Sequence, residues 1–291
     1  TSLIVSWFGN DLRCGSCRLM PKVEHKLEDG SEMPWIVSGV DRDSADEIVK
    51  VNDRSIYGGT PTDQSVVEAI VALKDAGQEV TFYPFILMDQ FTGNGLPDPY
   101  SDAEDQPNLP WRGRITLTQA PGRAGSPDGT AIAAQEVDAF FGTVTASHFS
   151  IDDGGVNYSG PDEWSFTRFI LHNAALCAAA GGVEAFCIGS ELRGLTQIRG
   201  ASGFPFVQGL KDLVAEVRAH IISHLFESDR VARIQGQVEG RNFASIFNYR
   251  KLGFDHVGTF HQCTWSTAEG APADQLLFEM MEDAWRKRGA A

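Results

Sequence analysis

The sequence predicts an α/β fold, with a parallel sheet crossed by helices and a small α+β segment behind it. Three observations predict it. Three apolar runs, residues 3–8, 80–88 and 183–188, lack the strict polar alternation of a one-sided sheet, as expected for strands covered on both faces. Helical periodicity separates them, so the order is strand, helix, strand, helix, strand, which is the order of crossover connections. The charge also changes character near residue 220. Residues 1–219 hold 16 Lys and Arg against 30 Asp and Glu, a net of −14, whereas residues 220–291 hold 8 against 9, a net of −1. Such a step marks a change of module, and 1–219 and 220–291 are read as two parts.

Taken in order, the run at 3–8 ends at Gly9-Asn10-Asp11, as a buried parallel strand entering a loop does. Residues 12–60 are irregular, with Trp35-Ile-Val-Ser as a minor strand. Thr62 and Asp63 then offer N-caps to an amphipathic segment through Val66, Ile70 and Leu73 that stops at Gly77. Val80 to Met88 is the second strand. Pro84 lies inside it, which counts against a strand, but the β-branched and aromatic density around it outweighs one proline. Residues 92–130 are rich in Gly, Pro and Asp, and a loop of that length inside a domain points to function. Residues 131–141 read as a helix. A longer helix is expected from Pro161 to Ala180, closed by Gly181-Gly182, and the third strand at 183–188 leads into Gly189-Ser190-Glu191. A last helix is expected at 207–222, with Leu210, Leu213, Val214 and Val217 on one face.

Composition narrows the function. The chain has 291 residues and a formal charge of −15, which argues against nucleic acid or an anionic membrane as partner, because both need clustered Lys and Arg. No apolar stretch is long enough to span a bilayer. Five cysteines make a disulfide framework unexpected. Cys14-Gly-Ser-Cys17 has the spacing of half a zinc site with no second half at matching spacing, and reads as two reduced thiols; His148 and His172 stand alone and read as structural. No metal or cofactor is implied. The chain opens on Thr1 and reads as a piece of something longer.

The residue that raises a question is Glu191. A carboxylate just past a buried parallel strand stands where α/β enzymes place chemistry, since that edge opens to solvent. The residues around it answer further. Val5-Ser-Trp-Phe-Gly-Asn-Asp-Leu-Arg, Tyr57-Gly-Gly-Thr-Pro-Thr-Asp, Phe82-Tyr-Pro-Phe-Ile-Leu-Met-Asp, Gly93-Asn-Gly-Leu-Pro-Asp-Pro-Tyr, Pro110-Trp-Arg-Gly-Arg-Ile and Ile188-Gly-Ser-Glu-Leu-Arg-Gly-Leu-Thr together resemble one family. It is the TIM-barrel-like, glycoside-hydrolase-like domain of gene transfer agent and phage tail host-specificity proteins, and the resemblance covers residues 1–219.

That resemblance implies a (β/α) TIM-barrel-like domain, here incomplete, in a tail or baseplate protein. Such a protein is made in the bacterial cytoplasm and resides in the tail of a phage-like particle. Its partners would be other tail and baseplate proteins and a cell-envelope glycan, which it engages and, if active, hydrolyses with retention. Glu191 matches the acid/base position. Hydrolysis needs a second carboxyl group, and Asp11 and Asp89, each just past a strand, are the candidates on the same rim. Glu191 could instead pair with Arg193 or Arg13 and only order the rim. Trp111, Arg112 and Arg193 are the expected glycan contacts. Trp7, Tyr83 and Trp164 are further aromatic candidates, the first two within strands, where core or inner-barrel positions compete.

The second part departs from that family. Residues 225–260, with Arg241-Asn followed by Lys251-Leu-Gly-Phe, and then Asp274-Gln-Leu-Leu-Phe-Glu-Met-Met, resemble the C-terminal quarter of GNAT-type N-acetyltransferases. Asn242 and Tyr249 match positions near acetyl-CoA there. The glycine-rich turn that would hold the pyrophosphate is absent from the preceding residues in a suitable context. The alternatives to a glycan-directed domain are thus an acyl-CoA-dependent N-acetyltransferase and a catalytically inactive structural barrel.

Overall fold

The computed structural model describes residues 1–152, 155–227, 232–266 and 270–289. The chain divides into two compact units, Thr1–Val217 and Arg218–Ala291, the division falling inside a helix.

The first unit is built from β1 (Ser2–Gly9), β2 (Leu19–Met20), α1 (Asp63–Asp75), β3 (Thr81–Met88), α2 (Ala131–Phe141), β4 (Phe149–Asp152), β5 (Gly155–Tyr158), α3 (Phe166–Ala179), β6 (Ala185–Phe186), α4 (Arg193–Thr196) and α5 (Pro205–Glu227). Short two-residue ladders fold the irregular stretch 22–55. The three expected strands lie side by side in one direction: β1 pairs in parallel with β3 from Ser2 opposite Thr81 to Gly9 opposite Met88, and β6 pairs in parallel with β3. With β2 antiparallel on the far side of β1, the order is β6-β3-β1-β2. Among the described residues no sheet closes on itself. The TIM-barrel-like expectation therefore meets a mixed α/β unit with an open sheet.

Helices cover one face of that sheet. Val5 and Phe82 pack on Val66 and Ile70 of α1 and on Leu176 and Cys177 of α3. Trp7 and Ile86 enter a larger cluster with Phe140, Phe166, Phe169 and Phe206. Residues 166–178 of α3 are all buried, as befits a helix enclosed on every side. The opposite sheet face alternates with the first and carries Ile4, Ser6, Tyr83, Phe85 and Leu87. It is only partly covered, Ile4 being 57% exposed.

Three local expectations need correction. The third strand shrinks to Ala185–Phe186, and neither residue is fully buried. The cause lies in β3. Phe82 accepts from Cys187 N at 2.9 Å, so the even-numbered residues of β3 point their backbone groups at β6. The next donor toward β6 would be residue 84, and proline has none, so the ladder stops where it would leave the Cys187 carbonyl unserved. The helix expected from Pro161 begins at Phe166 instead, because Ser165 caps it by accepting from Arg168 N at 3.2 Å. Thr62 occupies the N-cap position of α1 without a side-chain cap bond, and Asp63 turns inward to Ser38 N and His172.

The second unit has β7 (Arg233–Glu239), α6 (Phe243–Leu252), β8 (Asp255–Ser266), β9 (Ala271–Met281) and α7 (Glu282–Gly289). Its sheet is antiparallel in the order β7-β9-β8. Ile246, Tyr249 and Leu252 of α6 join Val238, Phe254, Phe278 and Met280 in its core. Asn242 caps α6 by accepting from Ser245 N, and Gly253 ends it at φ 90°, a left-handed turn that glycine adopts without penalty. Residues 228–231, within the acetyltransferase-like stretch, lie outside the described residues.

Candidate functional site

Three carboxylates follow the three parallel strands, and each meets a cation. Asp11, 3% exposed, accepts from Arg13 N, from Arg13 Nη2 at 2.6 Å and from Gln106 Nε2 at 2.7 Å. Asp89, 2% exposed, takes Lys22 Nζ at 3.0 Å. Their effects on neighbours agree: hydrogen bonding to Asp11 outweighs burial and raises Arg13, while burial first and the Asp89 charge second raise Tyr57. Both carboxylates are committed to ion pairs inside the protein.

Glu191 differs. Its side chain is 54% exposed, and its backbone sits at φ 54°, a left-handed conformation that costs a non-glycine residue about 1–2 kcal/mol. Two donors converge on one of its oxygens: Trp111 Nε1 at 2.7 Å and Arg112 Nη2 at 3.0 Å, both to Oε2. The cation that meets Glu191 is therefore Arg112, not the expected Arg193 or Arg13. Arg112 is 6% exposed and fixed on every side. Its guanidinium lies 3.7 Å from the Phe85 ring centre, and it donates from Nε to Ser190 O at 3.2 Å and from Nη2 to Ser190 Oγ at 3.3 Å.

The long loop is ordered by the strands it overhangs. Thr116 forms a parallel bridge with Arg13, accepting from Cys14 N at 2.6 Å and donating to Leu12 O at 2.8 Å. The turn Arg112–Arg114 is also gripped from α4, where a Cβ on Gly194 would stand 2.4 Å from Ile115 O. Gly113 has no room for a side chain either, since a Cβ there would lie 2.4 Å from the six-membered ring of Trp111. The indole thus rests on the Gly113 backbone with its N–H turned to Glu191, and is 47% exposed.

The remaining expected contacts separate. Arg193 is exposed at the start of α4. Tyr83 is half-buried, its ring 6.0 Å from that of Phe85. Trp7 must be corrected: it is fully buried among Trp164, Phe169 and His172, at ring distances of 5.7, 5.3 and 5.4 Å, so it offers no face to a ligand. Trp164 is likewise occupied, with the Arg168 guanidinium 3.7 Å from its ring centre. Sequence reasoning missed Ser190, Phe85 and Gly113 as the supports of the rim. The glycine between two arginines in Trp-Arg-Gly-Arg was the available signal.

In the second unit Asn242 serves as a helix cap, and Tyr249 stacks on Phe278 at 5.0 Å over Gly236. Among the described residues β7 pairs only with β9, antiparallel. Among the described residues, too, no group of three His, Cys, Asp or Glu is placed to hold a metal ion, and no helix is long and apolar enough to cross a membrane.

The class these features define is an α/β domain with a carboxylate and an exposed indole beyond the C-terminal ends of parallel strands. Residues 164–227, from Trp164 through Glu191 to the end of α5, match the family model described as the GTA TIM-barrel-like domain, GTA being gene transfer agent. The segment that carries Glu191 is thus similar to part of that domain. No curated protein matches the chain. Among solved structures, an acetyltransferase of the GNAT family from Bacillus anthracis is 18% identical, over 24% of this chain and 41% of that one, with a TM-score of 0.23. A ribosomal-protein-S5-alanine acetyltransferase from Vibrio fischeri is 24% identical, over 25% of this chain and 38% of that one, also with a TM-score of 0.23. The chain spans about two fifths of the length of these acetyltransferases.

Proposed function

We propose that the first unit binds a cell-envelope glycan at the rim formed by Trp111, Arg112 and Glu191, as the host-facing part of the tail of a phage-like particle. One observation carries this reading: both protein donors to Glu191 use Oε2, while the residue is half exposed and stands beside an indole propped on one side by Gly113. A sugar stacks its apolar face on an aromatic ring and gives a hydroxyl proton to a carboxylate, and these two groups are what the rim presents. Arg193, exposed two residues further on, adds a donor at the edge. The family match at 164–227 supports this reading, since it covers Glu191.

The same geometry favours binding over hydrolysis. A retaining mechanism needs a second carboxylate about 5 Å away and able to attack. Asp11 and Asp89 are buried and held in ion pairs, so neither is presented to a substrate. Calorimetric titration with fragments of host envelope polysaccharide tests the reading. Trp111→Ala is expected to weaken binding by roughly tenfold, the effect of one lost stacking ring. Glu191→Gln, which keeps the shape and loses the anion, should weaken it as well, and no reducing ends should appear on prolonged incubation. Affinity unchanged in both variants would remove the rim from the function. Reducing ends that vanish in Glu191→Gln would instead make the unit a glycosidase.

A further inference from the structure

The second unit exposes two large aromatic side chains on one helix. Phe243 and Phe247 of α6 are 75% and 66% exposed and stand one turn apart. Arg250 and Lys251, also exposed, continue the same stripe, and Ile246, Tyr249 and Leu252 turn the other face to the sheet. α6 contains no acidic residue. An aromatic pair followed by a basic pair on a surface helix is the pattern of an anchor for an acidic, partly apolar surface.

Such a surface exists on the first unit. Two adjoining clefts, of about 420 and 340 Å³, share Asp138, Gly209 and Asp212. The larger is bordered by Phe204, itself 52% exposed, and the smaller by Phe141, Leu213 and Glu216. Apolar and acidic side chains line both, and Lys211 also lines the larger. Charge agrees at the two patches: Arg250 and Lys251 lie on a helix with no acidic residue, and Asp138 and Asp212 line both clefts.

We propose that α6 docks, phenylalanines first, into the paired clefts of a second copy of this chain, with Arg250 and Lys251 facing Asp138, Asp212 and Glu216. The two patches are unlike, so the contact is head-to-tail and builds rings or short filaments rather than a closed two-fold dimer. Few residues take part, so the affinity belongs to the weak end of small interfaces, with a dissociation constant on the order of 100 μM.

Sedimentation velocity on the full chain, over about a hundredfold range of concentration, reads the association by mass action. The weight-average mass should rise with concentration, and less so in high salt, because the charged part of the contact is screened. Phe243→Ser with Phe247→Ser should abolish the rise, and so should Asp138→Lys with Asp212→Lys. Adding Arg250→Glu and Lys251→Glu to the cleft variant should restore it. All these positions are on the surface, and far-UV circular dichroism checks that each variant folds. A mass that stays at one chain throughout overturns the proposal, as does a rise that survives either pair of substitutions.

Discussion

Trp111 illustrates how one residue depends on its neighbour's lack of a side chain. A Cβ on Gly113 would fall within the van der Waals radius of the indole, so Gly113→Ala is expected to push Trp111 off Glu191. Glycan affinity should then drop as far as in Trp111→Ala, while the midpoint of urea unfolding moves little. A large loss of stability with affinity intact would contradict this. Buried titratable groups carry the other residue-level expectations. His172 is fully buried with Nε2 at 2.8 Å from Asp63 Oδ1, so His172→Leu leaves the mostly buried Asp63 carboxylate with Ser38 N as its remaining donor and should cost about 2 kcal/mol in urea unfolding. Burial pushes the Cys17 thiol up to about 12, and drives Cys14 upward as well. A proton held more tightly in the folded state adds its full stability below the ordinary thiol value of 9.0, and that stability is lost as pH rises from there toward 12. Thermal unfolding followed across that alkaline range should show the decline. Alkylation of the folded protein should reach exposed Cys263 first and spare Cys14 and Cys17 until urea is added.

At the scale of elements, the sequence carried the strand order and direction because apolar runs and helical periodicity are local signals. It also carried the position of Glu191 beyond the third parallel strand, since a carboxylate after an apolar run is visible in one dimension. What it could not carry was pairing between distant residues: Arg112 as the partner of Glu191 and Thr116 bridged to Arg13 depend on how the loop of some forty residues at 92–130 folds back, and Lys22 as the partner of Asp89 on how the irregular stretch 12–60 folds. The hairpin of β4 and β5 was missed for a similar reason, its two strands being four residues each and weakly patterned. The start of α3 was misplaced because Pro161 suits a first helical turn, while Ser165 makes the better cap. Ser165→Ala removes that cap and should lower stability by about 1 kcal/mol, read as a shift in the urea midpoint without a change in slope.

For the molecule as a whole, charge is divided as sharply as structure. The first unit carries the entire excess of 15 negative charges and the second is balanced. Self-repulsion weakens a compact state and salt screens it, so scanning calorimetry from low to physiological ionic strength should raise the melting of the first unit more than that of the second. Equal shifts would show that the excess charge is too dispersed to matter. An open sheet on such a unit has one further hazard, and Pro84 answers it. An exposed strand border invites a stranger's backbone to join, which is how soluble chains become fibres. Along β3, beyond Phe82, the arriving strand would find an alkyl ring where it needs a hydrogen to bond. The residue that cuts β6 short is therefore also a safeguard against aggregation.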